Sequence, residues 1–531
     1  MSLQWQLSRT VPEDTLDLGQ VLLRPQNLYR QLGDRFDSLF PDEMVFMCLY
    51  AATGRGAISP LLLSLVTIFQ AMEKLPDRIA TEYAVSRIDW KYAMHLALTY
   101  TGFHFTDLLA FRTRLQANQQ DRLVFDQVLS KLKEAGLIKK RGKMRTDSTH
   151  MLAVIDRLSR LELVTESLRL ALEAVCDLVP VWVSENISSL FLEMYSERRS
   201  DYRLSDAVVQ QKLIQAGQDG LWFLVQWDRA VPVPADQVPE AIMTLRTVLT
   251  QQFPPQQGGT PPAERPRGAD VIDSPHEPEA RTAAKRGKPW TGYKMHVTET
   301  CDDDQPRLIT DITATNACVP DNNELPQIQE RLVAQDTTPD EQFGDMGYIS
   351  GKNLVASTAL GIKLMGCFAA DSTNRPGFQQ ADFSIDEKLR VAHCPAGQTS
   401  TYWHEGTAPA GGQQPVKIRF DAMTCLACPC FGRCTTSKRG RSLGLSPYRL
   451  AITARRVEAK SAAFRDAMHV RAGVEGTISQ LVRTCGLRYA RYRGLRKVRM
   501  QCFFSGIAVN LKRLVRWLVT ARPSAGGLAV A

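Results

Sequence analysis

At 531 residues the chain is too long for one compact core, and it predicts two to four domains. Its hydrophobic share of 44% is that of an ordinary globular protein. No run of roughly 18 uncharged apolar residues is present, and the opening Met-Ser-Leu-Gln-Trp-Gln soon meets Glu13 and Asp14, so neither a membrane span nor a secretory leader is expected.

The net charge of +9 is modest but unevenly placed. After Glu475 there is no Asp or Glu, while Lys and Arg recur to the end, and the rest of the chain is close to neutral. A one-signed tail points to a polyanion such as DNA, with a solvated basic helix face as the plainer reading. The twelve cysteines are expected to stay reduced in the cytoplasm, in a protein associated with the nucleoid.

Residues 1–135 read as a helical domain. Ser59-Pro60 is a helix start, a capping hydroxyl followed by proline in the first turn, and Leu61 to Lys74 is apolar on most faces. Asp77 and Asp89 read as further caps, and another helix runs from about Thr106 through Phe111, Arg112 and Arg114. Short helices with basic residues fit either a helix-turn-helix-like DNA-binding module or a plain packing domain.

Residues 140–155 carry a strand, Lys143 to Ile155, with Asp147 inside it. Residues 156–252 return to helical periodicity, and 253–289, rich in Pro, Gly and charge, predict a long loop. In the segment 290–369, strands are expected at Trp290–Thr300, Leu308–Thr315, Glu341–Ile349 and Ile362–Phe368, with a helix over Asn323–Ala334. The acidic run Asp302-Asp303-Asp304 falls between two strands and reads as a hairpin turn. Residues 370–450 are expected to be an irregular insertion with a cysteine cluster. Residues 451–522 hold a long helix, Glu458 to Cys485, and basic helices after it, and 523–531 predict a disordered tail. The order of strands and helices indicates a mixed α and β protein with a mixed sheet flanked by helices.

Aspartate is disfavoured in strands, and burying its charge is costly unless it is paired or bound to a metal. Asp147 in Arg-Thr-Asp-Ser-Thr-His and Asp345 in Phe-Gly-Asp-Met-Gly-Tyr-Ile are therefore informative together. Gly344 and Gly347 would allow close backbone approach. Arg471, Glu475, Ser479 and Arg483 follow at four-residue steps and form a polar stripe opposite Val470, Val474, Ile478 and Leu481. Gly473 and Gly476 flank Glu475 although each costs a helix roughly 1 kcal/mol relative to Ala, which room for a ligand would explain. Phosphodiester cleavage needs an activated oxygen nucleophile and relief of charge on the leaving oxygen. Two Mg²⁺ or Mn²⁺ ions held by a few carboxylates supply both. An exposed Arg471–Glu475 ion pair without chemistry is the alternative.

These segments together resemble the DDE transposases of bacterial insertion sequences, within the wider group of IS-four and IS-five type, and most closely the subgroup numbered eleven eighty-two. Phe40-Pro41 through Phe111-Arg112 resembles that family's helical N-terminal domain. Arg145-Thr-Asp147-Ser-Thr-His150 resembles the first catalytic block and Gly344-Asp345-Met-Gly-Tyr348 the second. Ser274 to Arg281 and Gly292-Tyr-Lys-Met-His296 resemble the lead-in to the second strand. Arg471-Ala-Gly-Val-Glu475-Gly-Thr-Ile-Ser479-Gln, then Gly486 to Gly494, resembles the third block. The resemblance implies a ribonuclease H-like core with an insertion between the second Asp and the Glu. It implies two metal ions on Asp147, Asp345 and Glu475, and Arg471 against DNA near the cleaved end. It also implies terminal inverted repeats and target DNA as partners, and a homodimer or larger assembly on DNA. Met468 and Val482 stand where the wider family's third signature has Tyr and Lys, and Arg483 is placed to replace the lysine. A DNA-binding protein derived from a transposase but without catalysis, or a ribonuclease H-like nuclease, are the competing readings.

His150 and His296 read as structural histidines, with contact to DNA or to metal ligands as the alternative. Arg488, Tyr489, Arg491, Arg493, Arg496 and Lys497 interleave basic and aromatic side chains, as phosphate binding and base stacking require. Cys394, Cys425, Cys428 and Cys434, with Cys430 to spare, have the spacing of a tetrahedral zinc site. An iron–sulfur cluster or reduced thiols without a metal are also chemically open.

Overall fold

The computed structural model of the chain describes residues 1–3, 6–155, 157–196, 205–230, 234, 237–254, 261, 264–285, 287–368 and 375–520. The expected tail at 523–531 and residues 370–374 of the expected insertion lie outside them.

Its centre is a mixed sheet of six strands: β1 (Lys143–Leu152), β2 (Arg281–Lys285), β3 (Lys288–Thr300), β4 (Ile309–Asn316), β5 (Glu341–Gly344) and β6 (Lys363–Met365). The order is β2-β3-β1-β5-β6, with β4 paired to β3. β3 runs antiparallel to both β1 and β4, whereas β5 runs parallel to β1 and β6 parallel to β5. The Asp302 to Asp304 run is the turn of the β3–β4 hairpin, where Lys139 pairs with Asp304 at 2.6 Å. β2 lies within the stretch read from sequence as loop, because only five residues pair there and no alternation is legible.

Both faces of the sheet are covered, so β4 is buried along nearly its whole length. On β3, alternation sends Met295 and Val297 to one face and His296 and Thr298 to the other. Met295 and Val297 join one continuous core with Leu65 and Phe69 of the N-terminal helices, Leu481 of the Glu475 helix, and Phe504 and Val509 of the C-terminal helix Leu495–Thr520. The opposite face is packed by Leu325, Ile328 and Leu332 of helix Asp321–Ala334 and by Leu354 of helix Gly351–Ala359. The latter helix was not anticipated from sequence.

The N-terminal region is helical. Ser59 caps the helix Pro60–Glu73 by accepting from the Leu62 amide at 3.0 Å. Asp77 and Asp89 are not caps: they lie inside the first turns of Asp77–Ser86 and Ile88–Ala93, behind Pro76 and Arg87. The Asp77 carboxylate is drawn instead to Arg112 and Gln70, and Asp89 to Arg87. Helices within Arg160–Gln252 form a separate core around Leu168, Phe223, Trp227 and Leu245.

The stretch 370–450 is more ordered than its sequence indicates. Ser384–Asp386 pairs with Val391–His393, and Tyr402–Glu405, Val416–Arg419 and Ser442–Leu445 form a three-stranded antiparallel sheet. Strands of three and four residues between Pro- and Gly-rich turns are too short for alternation to be read. The long helix expected over Glu458–Cys485 is broken: Arg449–Glu458, Ala462–Met468 capped by Ser461, a 3-10 turn His469–Gly473, and Val474–Cys485. Among the described residues no helix is long and apolar enough to cross a membrane.

Candidate carboxylate cleft

The parallel register of β1 and β5 ends on the pair Thr146 and Gly344. The next residues are Asp147, midway along β1, and Asp345, just past the end of β5, so the two carboxylates emerge side by side where the parallel ladder stops. Sites of α/β sheets form at the carboxyl edge of such a ladder. Each is anchored locally: Asp147 Oδ1 accepts from the Ser148 amide at 2.7 Å, and Asp345 Oδ1 from the Gly347 amide at 2.9 Å. They line an open cleft of about 960 Å³ together with Glu475, Arg471, Asp321 and Lys294.

Arg471 bridges two of the three predicted carboxylates. Its Nη1 lies 3.3 Å from Asp147 Oδ2 and its Nη2 3.6 Å from Glu475 Oε1. Burial pushes the Asp147 carboxyl up to about 6, and the facing charges of Asp345 and Asp321 add to the rise. Asp345 is raised for the same reasons, by burial and then by Asp321. The Glu475 side chain, at 68% exposure, projects into solvent from the first turn of its helix.

What fixes the start of that helix is a buried ion network. Arg145, on β1 two residues before Asp147, donates to Glu299 through Nε at 2.7 Å and to the Val470 carbonyl at 2.7 Å. Glu299 is wholly buried and also takes Arg513 at 2.6 Å and the Thr477 hydroxyl. A methyl group on Gly473 would collide with the Arg145 guanidinium, whereas at Gly476 it would meet nothing within 4 Å. The glycine pair therefore does not have one cause. Gly473 makes room for Arg145, and only Gly476 leaves open space beside Glu475.

Asp321 and Lys294 were missed from sequence. Asp321 opens its helix, accepts from Ser148 Oγ at 3.1 Å and pairs with Lys294 Nζ at 3.1 Å. The alternation of β3 carried the signal for Lys294, two residues from His296. Nothing local marked Asp321. His296 is fully buried between the Tyr348 hydroxyl at 2.8 Å and the Thr315 hydroxyl at 3.0 Å. Burial lowers it to about 4 and keeps the ring neutral. His150 lines the cleft with its ring 5.4 Å from that of Trp290.

The basic segment divides into two sets. Arg488 donates to the His150 carbonyl at 2.7 Å, Arg491 to the Leu75 carbonyl at 2.7 Å, and Arg496 to the Gln116 carbonyl at 2.6 Å, with Asp77 and Asp121 pairing Arg491 and Arg496. Arg483, Arg493, Lys497 and Tyr489 are exposed, and Ser479 is half-buried. Away from the cleft, Cys394, Cys425, Cys428, Cys430 and Cys434 line a separate small cavity, all as free thiols. Among the described residues no three His, Cys, Asp or Glu side chains already stand in an arrangement that encloses an ion.

Two segments of the chain match known families. Residues 18–114 match a transposase domain (DUF772), and residues 393–515 match a transposase DDE domain. The second match contains Arg471, Glu475 and the basic segment, and neither Asp147 nor Asp345. Transposase domains imply a role in DNA transposition, and a DDE domain implies catalysis that requires a divalent metal. No curated protein and no solved structure matches the chain.

Proposed function

We propose that the chain is the transposase of an insertion sequence of the eleven eighty-two type, which binds terminal inverted repeats and cleaves and joins DNA at the Asp147, Asp345 and Glu475 cleft. The observation that carries this reading is the register that sets Asp147 and Asp345 side by side just beyond the last pair of the β1–β5 ladder, with Glu475 brought to the same cleft from the helix. The sheet supports it as well. Three antiparallel strands followed by two parallel to the first, in the order β4-β3-β1-β5-β6, are the arrangement of a ribonuclease H-like core.

The residues suit hard divalent cations. Asp345 and Asp321 raise the proton affinity of Asp147, and Asp321 that of Asp345, a repulsion that a cation relieves, and the Arg471 guanidinium already occupies a position between Asp147 and Glu475. Asp147, Asp345 and Glu475 would hold Mg²⁺ or Mn²⁺, which would supply activation of the attacking water or 3′-hydroxyl and relief of charge on the leaving oxygen. Arg471 is then free to turn to a DNA phosphate near the cleaved end, as a planar fork suits. Lys294 holds Asp321 in place. Arg483, Arg493, Lys497 and Tyr489 offer free basic and aromatic groups to the DNA. Arg488, Arg491 and Arg496 stiffen the surface that presents them. DNA ends must be brought together for joining, so a homodimer or larger assembly on DNA follows from this reading.

A second reading is a DNA-binding protein without chemistry. The ion pairs of Arg471 favour it, because they neutralise two of the carboxylates. The test is cleavage and strand transfer with purified chain, Mg²⁺ or Mn²⁺, and DNA from both flanks of its gene, beside Glu475→Gln. Products from the wild type alone support the transposase. Equal products from both sink the assignment of Glu475. Binding without products from either selects the second reading, and cleavage without joining selects a nuclease.

A further inference from the structure

The cysteine-bearing lobe takes no part in the cleft chemistry, yet it gathers five thiols from two separate stretches of chain. We propose that Cys394, Cys425, Cys428 and Cys434 bind one structural zinc ion that holds this lobe together. Cys394 follows the strand Val391–His393, Cys425 lies in the short helix Ala422–Leu426, and Cys428 and Cys434 follow that helix. They meet at a cavity of about 30 Å³, the room of a single water or ion, walled by Phe378, Phe420 and Phe431.

The surroundings suit thiolates. The Gln398 amide donates to Cys394 Sγ at 3.3 Å, and the Arg441 amide to Cys425 Sγ at 3.5 Å. Backbone donors of this kind orient a sulfur ligand. Cys430 is the odd one out: its sulfur accepts from the Arg433 guanidinium at 3.6 Å. Four thiolates on Zn²⁺ leave a charge of −2, which Arg433 and Arg441 are placed to offset, and the displaced thiol protons pass to solvent. As they stand, no three of these thiols form a group that could hold an ion, so zinc binding requires the sulfurs to come closer together.

The lobe has reason to need an ion. Its apolar core is confined to Phe383, Ala392, Val416, Ile418, Phe420, Leu443 and Leu445, joined by very short strands. A core of that size rarely holds a fold alone, and a bound metal adds folding free energy directly.

The experiment uses the full chain, purified reduced and without a polyhistidine tag. Metal content is measured by mass spectrometry, and metal release by titration with a mercurial thiol reagent. The expected result is about one zinc per chain, released as the thiols react, with Cys430→Ser retaining it and Cys425→Ser and Cys428→Ser losing it. Stripped wild-type chain reloaded with Co²⁺ should show thiolate-to-cobalt charge-transfer absorption, a readout that stands even where a variant fails to fold. Wild-type chain without zinc and without that absorption would overturn the proposal. So would iron with acid-labile sulfide, and so would full zinc in Cys425→Ser.

Discussion

Asp147 and Asp345 reach the cleft by a different route from Glu475. The two aspartates are placed by backbone pairing, one residue beyond the last rung of a parallel ladder. Glu475 is placed by side chains, because its helix begins at a turn that Arg145, Glu299, Arg513 and Thr477 fasten to β1 and β3. Strand positions therefore carry their electrostatic burden in the fold itself, whereas the helix position is relieved by solvent and depends on distant residues to stay where it is. The same chemical group should respond differently to substitution in the two places.

The largest effects separate activity from stability. Asp147→Asn and Glu475→Gln should both reduce metal-dependent cleavage to background. Only Asp147→Asn should also stabilise the metal-free chain at neutral pH, by roughly 1–3 kcal/mol, because burial and facing carboxylates hold Asp147 at about 6. The sign follows from the raised value. The folded state binds the Asp147 proton more tightly than the unfolded chain, so this group's contribution to stability grows as pH falls from about 7 towards 4. Denaturant titrations across that range, in chelator, should show the gain in wild type and its absence in Asp147→Asn. Equal behaviour of the two variants would break the comparison.

Next is the fastening itself. Glu299→Gln leaves Arg145 and Arg513 without their buried counter-charge, and removing one partner of such a pair costs about 3–5 kcal/mol. Calorimetry should show that loss, and cleavage should fall with it although Glu299 lines no part of the cleft. Unchanged cleavage in a folded Glu299→Gln chain would show that the Glu475 helix is held by something else.

Sequence and structure agree best where local pattern dictates position. The strand carrying Asp147 and the hairpin after it were legible because β-branched and apolar residues are concentrated there over eight residues or more. Ser59-Pro60 announced its helix because capping and proline act within one turn. The break at Gly473 was not legible. It depends on Arg145, more than three hundred residues earlier, filling the space a side chain would need. Asp321 was missed for a similar reason, since only the folded sheet brings it beside Ser148 and Lys294. Conversely, sequence could not show that Arg488, Arg491 and Arg496 each also donate to a backbone carbonyl.

The exposed part of that basic segment allows a milder test. Lys497→Ala and Arg493→Ala remove charges at exposed positions and should leave the thermal midpoint unchanged. Each should weaken DNA binding about equally for all sequences and lower the salt slope by about 1. Arg496→Ala should instead lower stability modestly, through its loss from Asp121 and the Gln116 carbonyl.

The two glycines beside Glu475 give the sharpest test of how it is placed. Gly473→Ala puts a methyl group against the Arg145 guanidinium, which cannot retreat without leaving Glu299 or the Val470 carbonyl, and overpacking of that kind costs about 1–3 kcal/mol. Gly476→Ala, three residues on and facing open space, should gain up to roughly 1 kcal/mol of helix propensity. If room for DNA beside Glu475 is what Gly476 provides, Gly476→Ala will be the more stable chain and the poorer at cleaving its substrate. If cleavage is unaffected, that glycine has no part in the site, and the approach to Glu475 is shaped by the Arg145 turn alone.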